Sequence, residues 1–339
     1  MNKDKDFLGT EPVGKLMFRL ALPTITAQLI NMLYNIIDRI YIGHIPGNGA
    51  LALTGVGVCM PLIMIISAFA ALVGGGGAPH ASIAMGKNDL NTAEHILGNC
   101  FFLQILISII LTVILLFGNR TFLLAFGASE NTIEYAVNYM NIYAVGTIFV
   151  QLTLGMNMFI TTQGFAKTGM LSVLIGAVTN IVLDPVFISG LGMGAAGAAI
   201  ATTIGNILAS IYYLWYFMKK SKSFSVSPKY FKCGEQVLSR VCSIGFPTAI
   251  FSALMSVSTI VLNQILVKYG NAPVAAIGIV FKANMFITFL QMGLANGVQP
   301  LMGYNFGAGN QKRFMEVDCF TKKCCLVVGI LATALFFFF

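Results

Sequence analysis

The sequence predicts an all-α polytopic membrane protein. Of its 339 residues, 57% are hydrophobic and 9% are charged, whereas about 25% are charged in an ordinary soluble domain. Apolar stretches that could cross roughly 30 Å of hydrocarbon as a helix recur near residues 20–42, 55–77, 96–117, 135–159, 170–189, 195–217, 243–267 and 276–300. Blocks of about ten residues with alternating hydrophobicity are absent, which argues against a transmembrane barrel.

A ninth apolar stretch begins near Cys325 and meets Phe339. Its 15 residues would form about 22 Å of helix, which is shorter than the hydrocarbon layer. We therefore expect the last span to be incomplete.

The basic residues predict the orientation in the membrane. With a cytoplasmic N-terminus, all but four of the 20 lysines and arginines lie on the cytoplasmic side, and the exceptions are Arg39, Arg120, Lys268 and Lys282. Cytoplasmic loops carry an excess of Lys and Arg, so we expect a multi-pass protein of the cell inner (plasma) membrane with its N-terminus inside. The net charge of +8 follows from this bias, and we expect no nucleic-acid partner.

An internal repeat relates residues 15–90 to residues 239–312. Pro23 aligns with Pro247 at an offset of 224 residues, and Gly55 aligns with Gly278 at an offset of 223. The first unit holds an even number of spans, so both units begin on the same side of the membrane, as in parallel transporter repeats.

The repeat predicts three parts of the chain. We expect a six-helix N-terminal lobe over residues 1–218, a cytoplasmic linker over residues 219–238 and an incomplete C-terminal lobe over residues 239–339, with a cleft between the lobes. The linker is polar and rich in Ser and Lys, as is typical of loops.

A polar stripe marks the first span. Gln28, Asn31, Asn35 and Asp38 follow at spacings of 3, 4 and 3, which places them on one helix face. A charged Asp at the centre of a membrane helix costs about 2.5–3.5 kcal/mol, so we expect Asp38 to face a cavity. Gln28 and Asn31 either line that cavity or form hydrogen bonds between helices. Arg39 either extends to the outer headgroups or pairs with Asp38.

A second polar group lies in the fifth and sixth spans. Asn180 and Asp184 are four residues apart on one helix face, and Pro185 follows, which removes a helical hydrogen bond. Asp38 and Asp184 are expected at the same depth. Together with Thr202, these residues would supply oxygen atoms from three helices, a donor set that suits a hard monovalent cation or a shared proton.

Other polar and glycine-rich features allow more than one interpretation. Lys282 in the eighth span either lines the cleft or tethers helices. The run from Gly74 to Gly77 indicates close packing or a helix break, since no strand or phosphate-loop lysine accompanies it. The three histidines and seven cysteines lack ligand spacing, so we expect no cofactor and no bound metal apart from a coupling cation.

Three segments resemble the multidrug and toxic compound extrusion (MATE) family, within the multidrug/oligosaccharidyl-lipid/polysaccharide flippase superfamily. They are Pro23 with Asp38 fifteen residues later, NIVLDPVF (180–187) followed by GLGMGAAGAAIAT (190–202), and QPLMGYNFGAGN (299–310). The resemblance implies a non-enzymatic antiporter with two six-helix lobes. This chain is then expected to be C-terminally truncated, with one complete lobe and two to three helices of the second.

The same resemblance implies a substrate, a coupling ion and a site. The expected substrate is an amphipathic organic cation or drug, exported across the lipid bilayer by a monomer in exchange for H⁺ or Na⁺. The implied cation site holds Asp38, Asn180, Asp184 and Thr202, with Na⁺ at the two carboxylates if that is the ion. The implied substrate cavity comprises the residues Gln28, Asn31, Asn35, Asn157 and Lys282.

Two alternatives stay open from the residues alone. A flippase for lipid-linked oligosaccharides, from the same superfamily, would be expected to carry several basic residues in its cavity, where Lys282 is one candidate. An intramembrane enzyme would need a nucleophile and a base, or metal ligands, at one depth. We find no His or Cys inside a span near either Asp.

Overall fold

The protein folds as an array of long helices. A computed structural model describes residues 7–219 and 271–338 and, between them, residues 239, 241–247, 250–251, 254, 258, 261–262, 265–266 and 268–269; the side chains of 271–276, 278–279 and 282 are not described. The helices are α1 (Phe7–Thr10), α2 (Val13–Gly43), α3 (Gly49–Gly86), α4 (Leu90–Ala125), α5 (Ile133–Thr162), α6 (Ala166–Pro185), α7 (Gly194–Lys219), α8 (Asn271–Gly307) and α9 (Gln311–Phe338), and a π-helical turn at Val186–Gly190 continues α6. Residues 241–247 are also helical.

Seven helices in the described part of the chain are long and apolar enough to cross a membrane, namely α2 to α7 and α9. The last helix is longer than the apolar stretch from Cys325 to Phe339, because α9 has 28 residues, or about 42 Å of helix. This helix begins at Gln311 and continues through Lys322 and Lys323. The sequence interpretation counted only the residues after those charges. The expected linker, residues 219–238, lies outside the described residues apart from Lys219.

The helices α2 to α7 form a bundle, which we call the first bundle. In it α3 packs against α4 and α5, while α6 packs against α2 and α7. Its buried side chains form two apolar clusters. One cluster contains Ile42 and Tyr139, near the end of α2 that is predicted to be outside. The other contains Leu97 and Phe159, near the predicted cytoplasmic side.

The run from Gly74 to Gly77 lies in the middle of α3 and lets other elements approach closely. A Cβ at Gly74 would lie 2.9 Å from the Cα of Gly155 in α5. A Cβ at Gly76 would overlap the carbonyl of Val241. The run is therefore a packing feature of a continuous helix, and close packing is the correct one of the two interpretations.

Glycines also line the contact between α8 and the first bundle. Gly293 and Gly297 lie against α2, where the hydroxyl of Thr24 donates a hydrogen bond of 2.6 Å to the carbonyl of Gly293. Further along α8, Gly303 and Gly307 lie against α3. These four glycines form what we call the glycine contact surface. It lies on the predicted cytoplasmic side, because α8 ends there.

Beyond this surface, toward the predicted outer side, both helices carry exposed side chains on the faces that continue the contact. Asn35 lies on the face of α2 that carries Thr24, since the positions 24, 28, 31 and 35 follow helical spacing. Phe286 lies two turns before Gly293 on the matching face of α8. Both side chains are exposed. These exposed positions lie where the sequence predicts the cleft, above Gly293.

The turn before α4 offers a test of local stability. Asp89 precedes the helix, and its carboxylate accepts a hydrogen bond of 3.0 Å from the backbone amide of Thr92. Hydrogen bonds from Thr92 hold the pKa of Asp89 below its usual value. Asp89→Ala should therefore lower stability by about 1 kcal/mol, seen as a fall of about 2 °C in the Tm followed by tryptophan fluorescence.

This loss should depend on pH. A carboxylate with a lowered pKa stabilises the fold above its unfolded pKa, and the contribution disappears as the pH falls through the folded value. The Tm difference between Asp89→Ala and wild type should thus shrink toward low pH. Asp89→Ser keeps a capping oxygen, and a Tm as low as that of the Ala variant would contradict the capping role.

Candidate functional site

The polar stripe of α2 continues the helix face that contacts α8. Gln28 and Asn31 are half-buried, and Asn35 and Asp38 follow toward the predicted outer side. Asn35 donates a hydrogen bond of 2.6 Å to the carbonyl of Asn31. The stripe thus lies on the α2 face where the sequence predicts the cleft, and it ends at the carboxylate of Asp38.

The carboxylate of Asp184 lies inside the first bundle, near the outer end of α6. The residue is 0% exposed, and its Oδ1 accepts a hydrogen bond of 3.2 Å from Asn180. Directly after it come Pro185 and the π-helical turn Val186–Gly190. Because proline has no amide hydrogen, the backbone pattern changes at this point. Single π-helical turns are frequent at functional sites.

The carboxyl groups of Asp38 and Asp184 lie close together across the interface between α2 and α6, near enough to share a hydrogen bond if one of them holds a proton. Oδ1 of Asp38 and Oδ2 of Asp184 are buried, and neither has a hydrogen-bond donor among the described residues. Two ionised carboxylates can only accept hydrogen bonds. Their contact therefore requires a proton or a cation to satisfy these oxygens.

Asn180 links this pair to α7. It is 2% exposed, and its side-chain nitrogen also donates a hydrogen bond of 3.1 Å to the hydroxyl of Thr202. Both amide hydrogens are then directed at oxygen atoms, whereas the Oδ1 of Asn180 is buried without a partner. The structure thus brings Asp38, Asn180, Asp184 and Thr202 together, and we call these four residues the carboxylate site.

Two tyrosines that the sequence interpretation did not include lie beside the carboxylate site. Tyr34 and Tyr139 are both close enough to Asp38 for electrostatic interaction. Tyr34 is four residues before Asp38, so helical spacing could have identified it. Tyr139 belongs to α5 and stacks on Tyr143 with ring centroids 6.1 Å apart. Only tertiary packing brings it to the site.

Other predicted residues lie away from the carboxylate site. Asn157 is half-buried in α5, where its side chain lies against Gly169 of α6 and accepts a hydrogen bond of 3.4 Å from Thr161. Gly169 precedes Asp184 by 15 residues, or about 22 Å along α6. The side chain of Lys282 lies outside the described residues.

Arg39 is exposed, and the salt bridges found among the described residues do not include it. The guanidinium therefore does not neutralise Asp38 as a close ion pair. Its charge nevertheless reaches Asp38 through space. Of the two interpretations made from the sequence, exposure at the outer end of α2 fits the structure.

The donor set of the carboxylate site defines its chemistry. It consists of carboxylate, amide and hydroxyl oxygens, which suit hard cations and protons. Within the part of the chain that the structure describes, no cluster of three His, Cys, Asp or Glu residues could hold a metal ion. Two adjacent carboxylates can hold one proton or one monovalent cation between them.

Comparison with known proteins decides the family. A sequence model of the MatE family matches residues 23–186 and 247–339, which is more than half of the chain. This protein belongs to the MatE family. The resemblance seen in the sequence is thereby confirmed. Within MatE, the matched ranges include Asp38, Asn180 and Asp184, whereas Thr202 lies between them.

Two curated MatE relatives are multidrug export proteins named MepA. That of Staphylococcus aureus (strain NCTC 8325 / PS 47) is 29% identical over 320 residues, covering 94% of this chain and 70% of MepA. The MepA of Staphylococcus haemolyticus (strain JCSC1435) is 29% identical over 304 residues, covering 90% of this chain and 67% of that MepA.

Solved structures of other transporters share the fold. One is an outward-facing conformation of a multidrug resistance MATE family transporter, with a TM-score of 0.91, 23% identity, and coverage of 99% of this chain and 74% of that chain. Another is a MOP superfamily transporter from Pyrococcus furiosus, with a TM-score of 0.91, 24% identity, and coverage of 98% and 74%. The all-α membrane fold predicted from the sequence is thereby confirmed.

Proposed function

We propose that this MatE protein is a secondary antiporter that exports amphipathic organic cations, including drugs, in exchange for H⁺ or Na⁺. The observation that carries the proposal is the contact between Asp38 and Asp184, whose buried oxygens lack donors. The names of the MepA relatives support multidrug export as the direction and substrate class.

The negative charge at the carboxylate site explains how binding of a cation can be coupled to movement of α2. Two unit charges about 4 Å apart interact by about 4 kcal/mol at an effective dielectric constant of 20. Repulsion of this size between Asp38 and Asp184 favours uptake of one H⁺ or Na⁺. Loss of that cation would push α2 away from α6. Since α2 also contacts α8 through Thr24, a movement of α2 changes the cleft.

The cleft suits an amphipathic cation. Its α2 wall carries the amide groups of Gln28, Asn31 and Asn35 and ends near a carboxylate, and its α8 wall presents the exposed ring of Phe286. Aromatic faces and carboxylates both attract organic cations. A cation bound near Asp38 would compete electrostatically with H⁺ or Na⁺ for the same negative charge, which is the basis of exchange.

We also propose the arrangement in the membrane. The first bundle corresponds to the lobe over residues 1–218, and α8 and α9 belong to the second lobe over residues 239–339. Basic residues favour an inner-membrane orientation with the N-terminus in the cytoplasm. We propose that the protein acts as a monomer, because each carboxylate site is built from helices of one chain.

Transport by the purified protein tests the proposed function. Proteoliposomes loaded with ethidium should lose the dye when an inward H⁺ gradient or an inward Na⁺ gradient is imposed, and the effective gradient identifies the coupling ion. Protein-free liposomes are the control for leakage. Equal dye loss from both preparations under both gradients would reject the antiporter function.

A further inference from the structure

The N-terminal segment Phe7–Pro12 forms a short bridge on the predicted cytoplasmic side. It consists of α1 and the turn that leads into α2. Leu8 is only 1% exposed, although it belongs to a helix of four residues. It shares an apolar cluster with Ala166 of the first bundle and with Leu301 and Val317 of α8 and α9. The segment is thus buried between the two groups of helices.

Polar contacts fix the segment to α8 and α9. The carbonyl of Leu8 accepts hydrogen bonds of 3.3 Å from Asn305 of α8 and 3.3 Å from Arg313 of α9. Arg313 also donates a hydrogen bond to the carbonyl of Glu11. A Cβ at Gly9 would lie 3.1 Å from the ring of Tyr304. Hydrogen bonds from charged donors are among the stronger ones in proteins.

The other side of the segment contacts the first bundle. The ring of Phe7 lies directly against Gly164, in the turn between α5 and α6. The guanidinium of Arg19 in α2 lies 5.3 Å from the centroid of the same ring and forms a salt bridge of 3.2 Å with Glu11. One short segment therefore contacts helices on both sides of the glycine contact surface.

We propose that residues 7–12 are a cytoplasmic latch that stabilises the conformation in which α8 is closed against α2 and α3. The latch cannot keep both sets of contacts when the glycine contact surface separates, because Leu8 is buried by residues of both groups of helices at once. Opening toward the cytoplasm requires that the carbonyls of Leu8 and Glu11 lose their hydrogen bonds from Arg313. This inference rests on the proposed antiport function for its biological role.

Hydrogen exchange measured by mass spectrometry tests the latch on the whole protein in detergent or nanodiscs. Arg313→Gln removes the guanidinium that donates to the carbonyls of Leu8 and Glu11, while Asn305 keeps its own hydrogen bond to Leu8. Exchange should accelerate at least about tenfold in three regions: residues 7–12, residues 79–86 of α3 and residues 299–307 of α8. Lys312→Gln is the matched control, because it makes the same charge change at the exposed neighbouring residue and should leave all three regions unchanged.

A second variant, Leu8→Ala, removes the buried side chain of the segment and should produce the same pattern without altering a charge. Acceleration confined to residues 7–12, or no acceleration in either variant, would overturn the latch. The measurement needs no transported substrate. A failure of the antiporter function would instead appear as absent ethidium efflux by the wild-type protein, so the two ideas fail separately.

Discussion

Asp38→Asn should abolish gradient-driven ethidium efflux while leaving expression and membrane insertion intact. The amide can donate a hydrogen bond to Asp184, which satisfies the buried oxygens permanently and removes the repulsion that cation binding relieves. Insertion should not suffer, because the variant removes a charge from a membrane helix. Efflux from proteoliposomes and the amount of protein in the membrane fraction are the two measurements.

Two comparisons sharpen this expectation. Glu134→Gln makes the same chemical change at an exposed carboxylate near the outer end of α5 and should transport at the wild-type rate. The double variant Asp38→Asn with Asp184→Asn should be no worse than either single variant, because residues that act as a unit are not additive. Wild-type efflux by Asp38→Asn would remove Asp38 from the coupling mechanism.

Helical periodicity predicted a large part of this arrangement. Residues spaced three or four apart share a helix face, so the stripe ending at Asp38 and the pair Asn180 and Asp184 could be found without a structure. The common depth of Asp38 and Asp184 followed from counting residues from the membrane surface, because each residue of a helix advances 1.5 Å. Patterns within single helices are therefore sufficient to identify these positions from the sequence.

Features made by contacts between distant segments could not be predicted in this way. Tyr139 reaches the carboxylate site only because α5 packs beside α2, and no local pattern marks it. Leu8 lies outside every apolar stretch, yet it is buried by Ala166, Leu301 and Val317. The extent of α9 was missed because Lys322, whose side chain is 75% exposed, can reach outward from a helix that continues past it.

Gly297→Leu should open the glycine contact surface and lower the efflux rate. A Cβ at Gly297 would lie 2.5 Å from the Cα of Ala21 and 2.6 Å from the hydroxyl of Thr24. Ala21 and Thr24 both belong to α2, so α2 and α8 must move apart to make room for the leucine side chain. Overpacking of this kind costs about 1–3 kcal/mol, which changes the ratio of closed to open conformations roughly 5- to 150-fold. Alternating access then stalls with the predicted cytoplasmic side open.

The separation can be measured by pulsed electron spin resonance between labels at Lys15→Cys in α2 and Lys312→Cys in α9, with the native cysteines replaced. Both lysines are exposed, so labels there should not disturb packing. The distance should lengthen by several ångströms in Gly297→Leu. Gly329→Leu is the control, because nothing within 4 Å would meet a Cβ there, and it should change neither distance nor efflux. An unchanged distance in Gly297→Leu would mean that α2 and α8 tolerate the side chain while closed. The close approach at Gly297 would then not be what holds this side shut.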